Sequence, residues 1–186
     1  MIVFKSVIWQ NFLSTGNTPI EIVLDNSPST LIIGDNGSGK STVLDALTFG
    51  LFGKPFRRIK KDQLVNSVNG RDSLVEVYFN VGRKKFLIRR GIKPTKFEIF
   101  IDGKLLNQDA SARDYQKHLE NNILKLNYRS FTQVVILGSS SFIPFMQLTA
   151  AARREVVEEI LDIKIFSLMN VLLKHRMKDN KERSRD

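Results

Sequence analysis

The chain has 186 residues, 42% of them hydrophobic, no cysteine, and ten more Lys and Arg than Asp and Glu. The hydrophobic share predicts a packed core and argues against disorder, and the missing thiols exclude disulfides and cysteine-ligated metal sites. The start, MIVFKSVIWQNF, is too short and too mixed for a signal peptide or a membrane span, so a cytoplasmic protein without a membrane partner is expected. The basic excess points to a polyanionic partner such as nucleic acid.

Taken in order, residues 2–9 (IVFKSVIW) read as a strand and 11–17 (NFLSTGN) as a turn. Residues 18–24 (TPIEIVL) alternate as a second strand, and 30–33 (TLII) read as a short buried one. Leu44, Leu47, Thr48 and Leu51 then recur at helical spacing. They predict a helix from about Lys40 to Phe52, stopped at Gly53-Lys54-Pro55. Residues 54–61 (KPFRRIKK) are basic and irregular. The runs 73–81, 85–90 and 96–102 alternate as three strands, with Gly82 and Lys93-Pro94 in the turns, and predict an antiparallel meander. Residues 111–125 read as a helix capped by Ser111, and 131–137 (FTQVVIL) as a return to strand. From Thr149, itself a cap, no Gly or Pro interrupts one long helix. Its apolar face would carry Val156, Ile160, Leu161 and Ile163, then Phe166, Met169, Leu172 and Leu173. Its polar, uncapped end at Asp186 reads as truncated.

One stretch carries chemistry. Gly34-Asp35-Asn36-Gly37-Ser38-Gly39-Lys40-Ser41 fits G-x-x-x-x-G-K-[ST], between an apolar segment and a helix. Glycines let the backbone adopt positive φ and approach phosphate oxygens. The loop amides then form an anion nest, and the helix N-terminus adds partial positive charge. Lys40 is expected to reach the β- and γ-phosphates of ATP or GTP, and Ser41 to place its hydroxyl on Mg²⁺. Hydrolysis needs a second acidic group for the metal and a group that positions water. The nearest Walker B-like run, Phe97 to Asp102, is followed by Gly103, so Asp102 reads as a turn residue. The acidic run VVEEILD sits on the last helix. The pattern is half of a catalytic site. His118 and His175 are isolated and form no metal cluster.

The stretches VIWQNFLSTGNTPIEI and LIIGDNGSGKSTVLDALTFGLFG resemble the N-terminal lobe of the SMC-like ABC ATPases, including the SbcC-type subunit of the bacterial repair exonuclease. LFGKPFRRIKKDQLVNSVNGRDSLVEVYF and FTQVVILGSSSFIPFMQLTAAARREVVEEIL resemble, more narrowly, the large subunits of the T-even-type phage recombination endonucleases. The resemblance implies an α/β fold: a P-loop lobe of an ABC-type ATPase head, with a mixed sheet plus an antiparallel meander. Residues 1–148 would form that lobe, and 149–186 would begin a coiled coil. It implies a C-terminal lobe of the same protein that brings Walker B and the signature motif, and a second head that dimerises around ATP and Mg²⁺. It also implies a calcineurin-like metallophosphoesterase nuclease subunit and double-stranded DNA as partners, in a bacterial or phage-infected cell. A structural DNA tether or a RecF-like ATPase, without the nuclease, is the alternative.

Carried over residue by residue, the family loop falls on Gly34 and on Asn36 to Thr42. The N-F-x-S element after the first strand falls on Asn11, Phe12 and Ser14, with Leu13 where many members have arginine. The family's glutamine that touches magnesium and the attacking water belongs after Val135, where Ser139 stands. Gln133, six positions earlier, is the nearby glutamine, and the alternatives are Gln133, Ser139 or loss of the role. The basic residues Lys54, Arg57, Arg58, Lys60 and Lys61 suit either the nucleotide or DNA phosphates. Arg83, Lys84, Lys85, Arg89 and Arg90 are a second DNA candidate. Arg89 and Arg90 alternate on a strand, so at most one can join a given patch. Arg153 and Arg154 suit the partner lobe or DNA.

Overall fold

In a computed structural model, residues 1–106, 111–136, 145–161 and 163–183 are described. The chain forms two units, Met1–Leu124 and Lys125–Asp186.

Alternation of apolar and polar side chains builds the first unit. Strands β1 (Ile2–Gln10), β2 (Ile20–Val23), β3 (Ser73–Val81), β4 (Lys84–Ile92), β5 (Lys96–Ile101) and β6 (Lys104–Leu105) form one sheet in the order β2-β1-β3-β4-β5-β6. Every pairing among them is antiparallel. Val7, Trp9, Val75, Val77, Phe79, Ile88 and Ile99 share one face and are buried. The meander is the one the sequence predicts. Asp102 and Gly103 are both at positive φ in the turn after β5, and Asp102 Oδ1 accepts from Lys85 N at 2.9 Å. That settles Asp102 as a turn residue.

Helix α1 (Thr42–Phe52) packs on β3, β1 and β4. Gly50 makes the contact close: a Cβ there would sit 2.5 Å from Val77 Cγ2. Phe49 meets Phe12 with ring centroids 5.6 Å apart. Gly53, at φ 69°, ends the helix in the left-handed conformation and donates its N–H to Phe49 O. Two more terminal carbonyls are satisfied from β4. Arg90 Nε donates to Gly50 O at 3.1 Å, and Arg90 Nη2 to Leu51 O at 3.5 Å and to Gln116 Oε1 at 2.7 Å. Its guanidinium lies over Phe97, 3.7 Å from the ring centroid. Burial pushes Arg90 down to about 9, so it stays cationic at neutral pH. Helix α2 (Ala112–His118) has the expected Ser111 cap, which accepts from Asp114 N, and continues as a π-turn over Leu119–Leu124.

Two expected strands are not formed. Residues 30–33 make no ladder, and Leu31 and Ile33 are each 83% exposed. A strand needs a neighbour for its amides and carbonyls; none of the six strands pairs with this segment. The apolar run is therefore strand-like in sequence and unpaired among the described residues.

The other is 131–137. In the second unit, its first residues lie on helix α3 (Tyr128–Val134). Asn127 caps that helix by accepting from Ser130 N at 2.9 Å, and Thr132 Oγ1 donates back to Tyr128 O. The Asn127 cap starts a helix there in spite of the strand preference of the valines. The long terminal helix is two helices, α4 (Ala150–Ile160) and α5 (Lys164–Arg183). Thr149 caps α4 as predicted. The break follows from Ile163 N, which bonds back five residues to Glu158 O and so ends the i→i−4 ladder. On α5, Ile165, Phe166, Leu168, Met169, Val171, Leu172, Leu173 and Met177 are all exposed. No helix among the described residues is long and apolar enough to cross a membrane.

Candidate nucleotide-binding site

Three segments of the first unit converge on a cavity of about 560 Å³, within the usual range for small-molecule sites. The first is the turn after β1. Asn11 and Leu13 take φ of 49° and 55° on either side of the fully buried Phe12. Leu13 N donates to Leu64 O at 2.7 Å, and Asn66 Nδ2 donates to Leu13 O at 3.1 Å. These bonds hold a bulky residue in a conformation that costs energy, and Leu13 and Ser14 become one wall.

The phosphate loop is the second segment. Gly37 and Gly39 have φ of 87° and 94°, the conformations the motif reserves for glycine. Lys40 folds back over the loop, with Nζ donating to Gly34 O at 2.6 Å and Asp35 O at 2.7 Å. Two carbonyls fix an ammonium that has three donors, so one remains for a ligand. Asn36, Gly37, Gly39, Lys40, Ser41 and Thr42 line the cavity. Gly34 and Ser38 shape the loop: Gly34 gives its carbonyl to Lys40, and Ser38 N donates to Asp35 O. Ser41 occupies the N-cap of α1, yet its side chain makes no capping bond. A hydroxyl at a helix N-terminus, not engaged in capping, suits a hydrated divalent cation beside phosphates.

The third wall comes from residues 57–67. Asp45, on α1, is 0% exposed. Its Oδ1 accepts from Arg57 N at 2.9 Å, and its Oδ2 accepts from Arg57 Nε at 2.6 Å and lies 2.6 Å from Nη2. That ties the basic segment to the phosphate-loop helix, and Arg57, Ile59, Gln63, Val65 and Ser67 face the cavity. Cation, amide and apolar groups thus face the phosphate loop across one opening.

Among the residues the sequence proposes, Ser14, Asn36, Gly37, Gly39, Lys40, Ser41, Thr42 and Arg57 meet at this cavity. Asn11 does not line it. Asn11 is buried, donates to Asp72 O, and accepts from Asn69 Nδ2 at 2.7 Å; it holds the turn together. Lys54, Arg58, Lys60 and Lys61 are exposed outside the cavity wall. Gln133 lies in the second unit on α3, where its Oε1 is buried with no hydrogen-bond partner among the described residues. Ser139 falls outside the described residues. The second basic candidate loses two members. Arg89 is engaged by Glu76 and Glu98, and Arg90 serves the end of α1, while Arg83, Lys84 and Lys85 stay exposed. Arg153 donates to Met146 O and Leu148 O. No metal-binding group of His, Asp or Glu occurs among the described residues. Sequence reasoning missed Asp45, whose signal was a lone carboxylate inside an otherwise apolar helix.

Fold and site together define a P-loop nucleotide-binding lobe. Residues 6–185 match the family model described as AAA domain, and the chain belongs to that family. It is 46% identical over 173 residues to Exonuclease subunit 2 of Escherichia phage RB69, a match covering 93% of this chain and 31% of that protein. It is 28% identical over 183 residues to the DNA double-strand break repair Rad50 ATPase of Thermoplasma volcanium, covering 95% of this chain and 20% of that protein. The chain therefore spans about a third or less of the length of these relatives. It shares its fold with the Smc head domain of Pyrococcus furiosus, solved with an extended coiled coil and bound to the C-terminal domain of ScpA. The TM-score is 0.69 at 20% identity, over 98% of this chain and 48% of that one. The α/β ATPase-head fold expected from sequence is the one observed, with one correction: among the described residues the sheet is antiparallel throughout and not mixed.

Proposed function

We propose that this chain is the N-terminal, ATP-binding lobe of an SMC-like ATPase that works with a nuclease subunit on double-stranded DNA ends. The observation that carries the reading is the phosphate loop: two positive-φ glycines, a lysine clasped by Gly34 and Asp35, and an uncommitted Ser41 hydroxyl around one cavity. The likeness to a phage exonuclease subunit and a double-strand-break repair ATPase supports the biological context.

In this reading Gly34 and Asn36 to Thr42 wrap the phosphates, and Lys40 neutralises them. Ser14 stands at the opposite wall, and Ser41 holds Mg²⁺. The metal supplies charge neutralisation of the phosphates when bound. Gln133 is the proposed water-positioning residue. Residues 1–148 are the lobe, and 149–186 open a coiled coil whose apolar residues await an antiparallel partner. Leu31–Ile33, which pairs with none of the six strands, is the segment that a strand of the C-terminal lobe would pair with. That lobe brings the Walker B and signature motifs, and a second head closes the site around ATP. Closure on ATP then gates access of DNA to the nuclease. Lys54, Arg58, Lys60 and Lys61 are proposed DNA contacts. The chain alone is expected to bind nucleotide without turning it over.

Calorimetric titration of MgATP into the chain tests the nucleotide half, with Lys40→Ala as the control. Saturable binding that Lys40→Ala abolishes is expected; binding unaffected by that change contradicts it. Co-purification of a metal-dependent nuclease with the full-length protein tests the other half. Its absence would favour a DNA tether.

A further inference from the structure

Arg57 belongs to a segment that sequence reading leaves undecided between nucleotide and DNA. We propose that Asp45 is a positioning residue that fixes the Arg57 guanidinium at the cavity wall, so that Arg57 contacts the phosphates of the bound nucleotide. The inference rests on the nucleotide reading of this cavity and adds to it a residue pair that the phosphate-loop motif does not contain.

The geometry is specific. Asp45 stands four residues after Ser41, in the first turn of α1, and is fully buried. A bare carboxylate there would repel phosphates held at the same helix end. It would also be costly to bury without a partner. Arg57 resolves both problems. Its Nε and Nη2 converge on Oδ2, and its own backbone N–H bonds Oδ1, so both carboxylate oxygens are satisfied. The loop is thereby anchored by backbone and side chain at once. The Arg57 side chain remains 40% exposed, and the residue lines the phosphate-loop cavity. Nη1 carries two N–H donors beyond those directed at Asp45. An arginine held this way loses little side-chain freedom on meeting a phosphate, and bidentate pairing is the arrangement that guanidinium favours. Lys60 and Lys61, exposed and outside the wall, have no such anchor among the described residues, so the pair separates Arg57 from the rest of the basic segment.

The two effects of Asp45 on a bound anion oppose each other, which makes the test decisive. Asp45→Asn removes a negative charge near the phosphates and, by charge alone, tightens MgATP binding. By position alone, it weakens binding. The proposal predicts weakening of about tenfold, the worth of one charge-assisted hydrogen bond. MgATP and magnesium tripolyphosphate would be titrated calorimetrically into the wild type, Asp45→Asn, Arg57→Lys and the double variant Asp45→Asn/Arg57→Gln. The double variant keeps a neutral hydrogen-bonded pair at the same place, so the loop anchor survives without the cation. Each protein would first be checked for cooperative thermal unfolding without nucleotide. Asp45→Asn and the double variant are expected to lose about tenfold for both ligands, and Arg57→Lys less, because charge is kept and the fork is lost. A folded double variant that binds both ligands as tightly as the wild type overturns the proposal, as does tighter binding by Asp45→Asn. Failure of the wild type to bind either ligand would instead overturn the nucleotide reading itself.

Discussion

Helices α1 and α5 are both rich in apolar side chains, and they use them in opposite ways. In α1, nine of the eleven residues are buried, and even Gly50 has no room for a methyl group. In α5, the apolar residues from Ile165 to Met177 are exposed. An apolar helix is therefore no evidence of a core within its own chain. The first helix is fixed by contacts the chain itself makes; the second leaves its apolar side chains on the surface.

The largest effects are expected in the core around α1. Phe49→Ala removes a ring packed against Phe12 and is expected to cost about 3–5 kcal/mol in urea unfolding. Gly50→Val comes next, since even a Cβ would meet Val77 at 2.5 Å, and overpacking of this kind costs about 1–3 kcal/mol. Arg90→Ala strips the end of α1 of its guanidinium donors and is expected to cost about 1–3 kcal/mol, read by the same denaturation. At the small end, Leu172→Gln on α5 should change the stability of this chain by less than about 0.5 kcal/mol. A loss of several kcal/mol there would show that α5 is already packed in solution. Lys40→Ala sharpens a different contrast: unfolding without nucleotide should change little, while the stabilisation by MgATP should vanish.

What was legible in the sequence follows from which forces are local. The strands β3 to β5 and the cap at Ser111 could be read because alternation and capping act over a few residues. The phosphate loop could be read because Gly37 and Gly39 sit at φ values that other residues resist. The misreadings have equally specific causes. Leu31 to Ile33 have the composition of a strand, but a strand is a property of two segments, and the second is not paired here. Residues 131–134 follow Asn127, whose side chain caps the helix and favours it over the strand preference of Val134 and Val135. Asn11 matches a motif position yet spends its side chain on Asp72 and Asn69. Arg90 looked like surface charge because a guanidinium's acceptors, here the carbonyls of Gly50 and Leu51, leave no trace in a sequence. Asp45 and Arg57, twelve residues apart, pair only because the chain turns back after Gly53.

The central claim is that the chain holds half of an ATPase site. The most direct test is phosphate release from MgATP, measured on the chain under conditions where calorimetry shows the site saturated. Bound nucleotide is expected, with turnover no faster than the Lys40→Ala background. Sustained turnover that Lys40→Ala eliminates would contradict it, because the chain would then contain the acidic metal-holding group that the half-site reading assigns to another lobe.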